Sequence, residues 1–144
     1  MPRLDAERIA LWRQFCSVST ALQRQVDQAL VEEHDLSLAW FEVLSAVRDA
    51  GGSIRVHELC EALDEVPSSL SRRLDRMEHD ELLQRAHTPQ PDDRRAVTVS
   101  LTPEGRLLWR DANITYRRMV QEHFAKRLTD TDIGALQRVF GKLA

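Results

Sequence analysis

Between Leu82 and Leu101 the hydrophobic period of this chain switches from helical to extended, and at Thr102 it switches back. Val97, Val99 and Leu101 alternate with Thr98 and Ser100, the pattern of a half-buried strand. Leu82 to Thr88 can form a second strand. Between them Pro89-Gln90-Pro91-Asp92-Asp93-Arg94-Arg95 is a turn-rich tip. A lone hairpin is marginal in water, so this one must pack against helices. The expected fold class is therefore mainly α with a small β-hairpin.

The flanking helices read from their apolar stripes. Residues 5–33 repeat Ile9, Trp12, Cys16, Ser19, Leu22, Val26 and Leu30 every three or four positions, with Phe15 and Val18 widening the stripe. That predicts one helix of roughly 25–30 residues, long for a domain of this size. A long striped terminal helix often seeks a partner chain. Leu38 to Ala50 predicts a second helix, capped by Ser37 and ended by Gly51-Gly52. Ile54 can start a short strand, and Val56 to Leu63 a short helix. Thr102 caps a helix running to about Arg127, with Pro103 at its first position. Thr129 and Asp132 form a capping-box pair for a last helix, with Leu128 and Ile133 at the staple positions.

The middle of the chain carries a more specific signal. After Leu63 comes a tight connection, Asp64-Glu65-Val66, and then Pro67, whose ring presets a helical φ. A helix from Pro67 to about Glu81 buries Leu70, Leu74 and Met77 and presents Arg72, Arg73 and Arg76 elsewhere. Two short helices joined by a three-residue turn match a helix-turn-helix, and the hairpin that follows makes it the winged variety.

Composition removes several classes of function. The chain has 144 residues, 42% hydrophobic and 30% charged, which suits one domain. The longest run without a charged residue, Gln14 to Gln23, is ten residues, too short to cross a bilayer. The N-terminus shows no secretory core, so the expected location is the cytoplasm. Net charge is −3, which argues against a non-specific nucleic-acid coat but allows a specific DNA reader with a few well-placed arginines. Cys16 and Cys60 form no CxxC pair. His57 and Cys60, at i and i+3, are two ligands and not a zinc site. No Ser-His-Asp set, phosphate loop or metal motif points to an enzyme, and no metal or cofactor is expected.

Asp93-Arg94-Arg95-Ala96-Val97-Thr98-Val99-Ser100-Leu101-Thr102-Pro103-Glu104-Gly105 resembles the wing signature of the MarR family of bacterial regulators, roughly D-x-R-x-x-x-V-x-L-T-x-x-G. Upstream, Ser68 to Glu78 resembles that family's recognition helix, and the resemblance extends over nearly the whole chain. It implies a winged helix-turn-helix with long N- and C-terminal dimerisation helices, approximately 1–35 and 103–144, around a DNA-binding lobe at approximately 36–102. It also implies a homodimer on a near-palindromic operator in double-stranded DNA. Repression would be relieved by a small phenolic or lipophilic ligand, or by cysteine oxidation. The chain departs from the family at Val66, where Ser often caps the recognition helix. Glu65 or Asp64 would have to substitute, or water or a DNA phosphate would satisfy the free N–H groups.

These readings nominate residues. Pro67, Ser68, Ser69, Ser71 and Arg72 open the recognition helix, where short side chains let the backbone approach bases and an arginine can fork onto guanine. Arg73 and Arg76 either join them or pair with Asp75, Glu78 and Asp80 on the same helix. Arg94 and Arg95 occupy a tip that can enter a minor groove, and the family pattern makes Arg95 the groove residue. Asp93 is expected to shape the turn rather than touch DNA, since phosphate repels a carboxylate; the alternative is that it orients Arg95 or ties the wing back to the body. Trp12, Cys16, Trp40, Phe41, Trp109 and Tyr116 are candidates for a pocket holding a small aromatic ligand, most of them expected to be plain core. Two alternatives compete. One is a peroxide sensor built on Cys16, which lacks nearby tyrosine hydroxyls. The other is a helical dimeric adaptor, which the six arginines and six acidic residues of 66–95 slightly favour.

Overall fold

The computed structural model describes residues 5–144; residues 1–4 of the expected N-terminal segment lie outside the described residues. Six α-helices and three strands follow in the order α1 (Ala6–His34), α2 (Leu38–Asp49), β1 (Ser53–Arg55), α3 (Val56–Leu63), α4 (Pro67–His79), β2 (Leu83–His87), β3 (Val97–Leu101), α5 (Pro103–His123) and α6 (Asp130–Leu143). Local chemistry sets most of the boundaries. Asp5 caps α1 by accepting the Glu7 and Arg8 amides, and Ser37 caps α2 by accepting the Trp40 amide. Thr129 and Asp132 form a reciprocal capping box at α6. Asp35 and Asp64 close α1 and α3 in the left-handed region.

The hairpin is larger than expected. β1 pairs antiparallel with β3 from Ser53↔Ser100 to Arg55↔Thr98, so β3 is the centre of a three-stranded sheet in the order β1-β3-β2. Gly51 and Gly52, at φ of +95° and +101°, turn the chain from α2 into β1. α5 also ends earlier than its stripe suggests. It stops at His123, Phe124 breaks the helical geometry, and a 3₁₀ turn at Ala125–Arg127 leads to α6.

One junction locks the sheet to α5. The Thr102 hydroxyl donates to the Glu81 carbonyl at 2.6 Å and accepts the Gly105 amide at 3.0 Å. A Cβ on Gly105 would lie 2.0 Å from the Leu82 carbonyl oxygen, so the helix can approach the wing base only with glycine there. The L-T-x-x-G pattern is thus a packing requirement.

The core runs through Leu30, Leu36, Phe41, Val43, Leu44, Val47, Leu59, Leu70, Leu74, Met77, Leu83 and Val99, joining α1, α2, the helix-turn-helix and the sheet. Among the described residues, the first half of α1 and all of α6 do not join it. Val26 and Leu30 are buried on α1, whereas Ile9, Leu11, Trp12, Phe15 and Val18 are exposed. Helix α6 buries no residue, and Ile133, Val139, Phe140 and Leu143 are open. Among the described residues, no helix is long and apolar enough to cross a membrane.

Candidate nucleic-acid interface

Helices α3 and α4 are joined by Asp64, Glu65 and Val66, as the spacing predicts. Leu70, Leu74 and Met77 are buried and fix which side of α4 faces the body. Pro67, Ser68, Ser69, Ser71, Arg72 and Arg76 are exposed on the rest of its surface. Val66 takes the N-cap place in extended geometry and makes no side-chain cap. Neither Glu65 nor Asp64 substitutes for the missing serine. Asp64 closes α3, and Glu65 accepts two hydrogen bonds from Arg73, at 2.6 and 2.8 Å.

Arg73 therefore departs from both expectations set for it. It pairs neither with Asp75, Glu78 or Asp80 nor with solvent; its guanidinium turns back to the helix-turn-helix connection and is mostly covered. The Glu65 carboxyl is held below its ordinary range by that hydrogen-bonded guanidinium. Asp75 and Glu78 are taken instead by Arg85 of β2. Its backbone N–H and Nε reach Glu78 at 2.9 and 3.2 Å, and Nη2 reaches Asp75. The recognition helix is thereby clamped to the wing strand.

At the wing tip Arg94 and Arg95 are exposed. The Asp93 carboxylate accepts the Arg95 backbone N–H at 2.9 Å, while its main chain bridges to Gln90. Asp93 thus shapes the turn that carries Arg95. The tie to the body is made by its neighbour: Asp92 accepts from Arg55, at the end of β1, at 2.9 and 3.3 Å. That guanidinium holds the Asp92 carboxyl below the usual carboxylate range. His87 adds a bond from Nε2 to the Arg94 carbonyl at 2.8 Å. Among the described residues, no ion pair engages Arg72, Arg76, Arg94 or Arg95.

Behind this surface lies an open cleft of about 960 Å³. Helices α1 and α5 form one wall with Val26, Tyr116 and Met119; α2 contributes Leu38 and Glu42; the helix-turn-helix contributes Leu63, Glu65 and Arg73. Of the six aromatic and cysteine pocket candidates, Tyr116 alone lines it. Trp12 is 61% exposed, and Cys16 lies half-buried on the same open stretch of α1. Phe41 is core, stacked on Tyr116 at 4.7 Å and on Trp109 at 6.5 Å. Trp109 donates to Ser45 at 2.8 Å with Arg48 over its ring, and Trp40 packs on the core edge.

The sequence profile of the MarR family matches residues 34–96. The repressor MdtR of Bacillus subtilis is 27% identical over 114 residues, covering 79% of this chain and 71% of that protein. A cysteine-to-serine variant of MarR from E. coli, solved in complex with operator DNA, superposes with a TM-score of 0.82 at 29% identity over 99% of each chain. In sequence and fold the chain is similar to MarR-family regulators. AbsC of Streptomyces coelicolor, a MarR family transcriptional regulator, has the same fold, with a TM-score of 0.87 at 24% identity over 99% of this chain and 95% of that one.

The chain is a DNA-binding transcriptional regulator and not an enzyme. The family profile begins at His34 and ends at Ala96, so it spans the helix-turn-helix and the wing tip but not the long terminal helices. Arg55, Glu65, Arg85 and Asp92 escape a linear reading because their partners are 7 to 37 positions away. One signal was available: Asp92, next to the wing motif, is a second carboxylate on a tip that needs an anchor.

Proposed function

We propose that this chain is a homodimeric repressor that reads a near-palindromic operator and is released by a small lipophilic or aromatic ligand. The observation that carries it is how the arginines of one lobe are divided. Arg55, Arg73 and Arg85 are held in internal ion pairs, while Arg72, Arg76, Arg94 and Arg95 stay exposed on α4 and the wing tip. In this reading Pro67, Ser68, Ser69, Ser71 and Arg72 enter the major groove, Arg76 meets backbone phosphate, and Arg94 and Arg95 reach the minor groove. Arg73 braces the recognition helix from behind. The operator complex of the E. coli relative supports the reading.

Dimerisation accounts for the open apolar surfaces of α1 and α6. Each large side chain covered there gains about 1.5–3 kcal/mol. Residues 36–102 would then be the DNA-binding lobe, between dimerisation helices at 1–35 and 103–144. The cleft supports ligand control because Arg73 of α4 and Tyr116 of α5 share its lining. A ligand that fits better when α4 and α5 are spread would favour a conformation in which the two recognition helices no longer match their half-sites.

Light scattering and footprinting on selected genomic fragments test this. The expected result is a dimer at micromolar concentration protecting two half-sites about one helical turn apart. A monomer, or binding without sequence preference, would overturn it.

A further inference from the structure

We infer that the cleft between the helix-turn-helix and the long helices selects a lipophilic cation, held by the carboxylate of Glu42 beside the ring of Tyr116. The inference rests on reading this cleft as the regulatory site, and it assigns the ligand's charge.

The charges lining the cleft show why. Glu65 and Arg73 neutralise each other through two short hydrogen bonds. Asp27 is occupied, accepting the Leu38 amide at 2.8 Å at the start of α2, and it sits one turn from the exposed Arg24 on α1. His123 lies at the α5 end of the lining. Glu42 is different. It is half-buried, and among the described residues it has neither an ion pair nor a hydrogen bond. Burial and the nearby carboxylate of Asp49 push its acid strength down, and no cation acts in the opposite direction. The Tyr116 phenol feels both burial and the Glu42 charge, so it remains protonated at neutral pH.

A partly desolvated carboxylate without a partner is an unfavourable arrangement that a bound cation relieves. An aromatic ring in the same lining adds cation–π attraction, and that ring, Tyr116, is already fixed by stacking on Phe41. Leu38, Val26 and Met119 supply apolar walls for the rest of the molecule. An anionic aromatic acid would meet Glu42 with repulsion; of the lining arginines, Arg73 is already paired, and Arg24 is exposed to solvent one turn from the Asp27 carboxylate.

The test uses two ions of nearly equal size and shape and opposite charge. The DNA-free wild-type protein is titrated calorimetrically with tetraphenylphosphonium and with tetraphenylborate. The expected result is at least a tenfold preference for the phosphonium, lost in Glu42→Gln, with circular dichroism confirming that this variant is folded. Arg24→Gln should keep the preference. Equal or tighter binding of the borate, a preference that persists in Glu42→Gln, or no binding of either ion overturns the inference. Operator binding is then followed by fluorescence anisotropy with phosphonium present, against a DNA-only blank. Selective phosphonium binding that leaves operator affinity unmoved keeps the charge assignment and defeats the ligand-release reading.

Discussion

Arg73 stands on the recognition helix but donates both of its terminal N–H groups to Glu65 in the connection before that helix, at 2.6 and 2.8 Å. The pair fixes the turn against α4 from the side that faces the cleft. Glu65→Gln should lower stability at pH 7 by about 1–2 kcal/mol, the range for a partly covered charged hydrogen-bond pair. Its pH dependence has a defined sign. Arg73 depresses the folded-state pKa of Glu65, so the stabilisation is fully present above the unfolded carboxyl value. It is lost as pH falls through the depressed folded value. Melting curves of wild type and Glu65→Gln should therefore differ at pH 7 and converge in acid. A difference that stays constant with pH would remove the ion pair from the account.

Arg72 and Arg95 should fail in different ways. Arg72→Ala is expected to weaken operator binding by roughly 1–3 kcal/mol and to relax preference at one base pair. Arg95→Ala should weaken binding with less change in major-groove preference, and should reduce the salt slope by about one if it meets a phosphate. Binding isotherms over a salt series on wild-type and singly substituted operators measure both. Wild-type affinity in Arg72→Ala would show that the proposed docking of α4 is wrong.

The wing depends on Asp92 more than its exposed position suggests. Its carboxylate ties the tip to Arg55, while Asp93 only shapes the turn. Asp92→Ala should leave the melting temperature nearly unchanged, because Asp92 is largely open to solvent. Operator binding should fall, by less than in Arg95→Ala, since the arginine remains but its loop is freed. An unchanged operator affinity would reduce the Arg55–Asp92 pair to a surface contact.

Gly105→Ala tests the junction between wing and long helix. The new methyl would collide with the Leu82 carbonyl, which is backbone and cannot rotate away. A loss of about 3 kcal/mol is expected, at the upper end for overpacking. Gly134→Ala on α6, where no heavy atom lies within 4 Å of the added carbon, is the matched control and should leave the fold unharmed. Equal melting temperatures for the two variants would contradict the close approach.

Helices, caps and the change of period at Leu82 were legible in the chain itself, because each depends on interactions within about four residues. Ser37, Thr102 and Thr129 cap as their spacing predicts, and Pro67 opens the recognition helix where its ring allows. The periodic stripe of α1 was equally legible, but period alone says that a face is apolar and not what covers it. Trp12 and Phe41 look alike as aromatics on helical stripes; one is open on the surface and the other is at the centre of the core. The partners of Arg55, Arg73 and Arg85, the pairing of β1 with β3 and the lining of the cleft were decided only by tertiary structure. In each, segments distant in sequence are brought together by burial of the shared core, and a charged side chain then takes whichever opposite charge that packing places within reach.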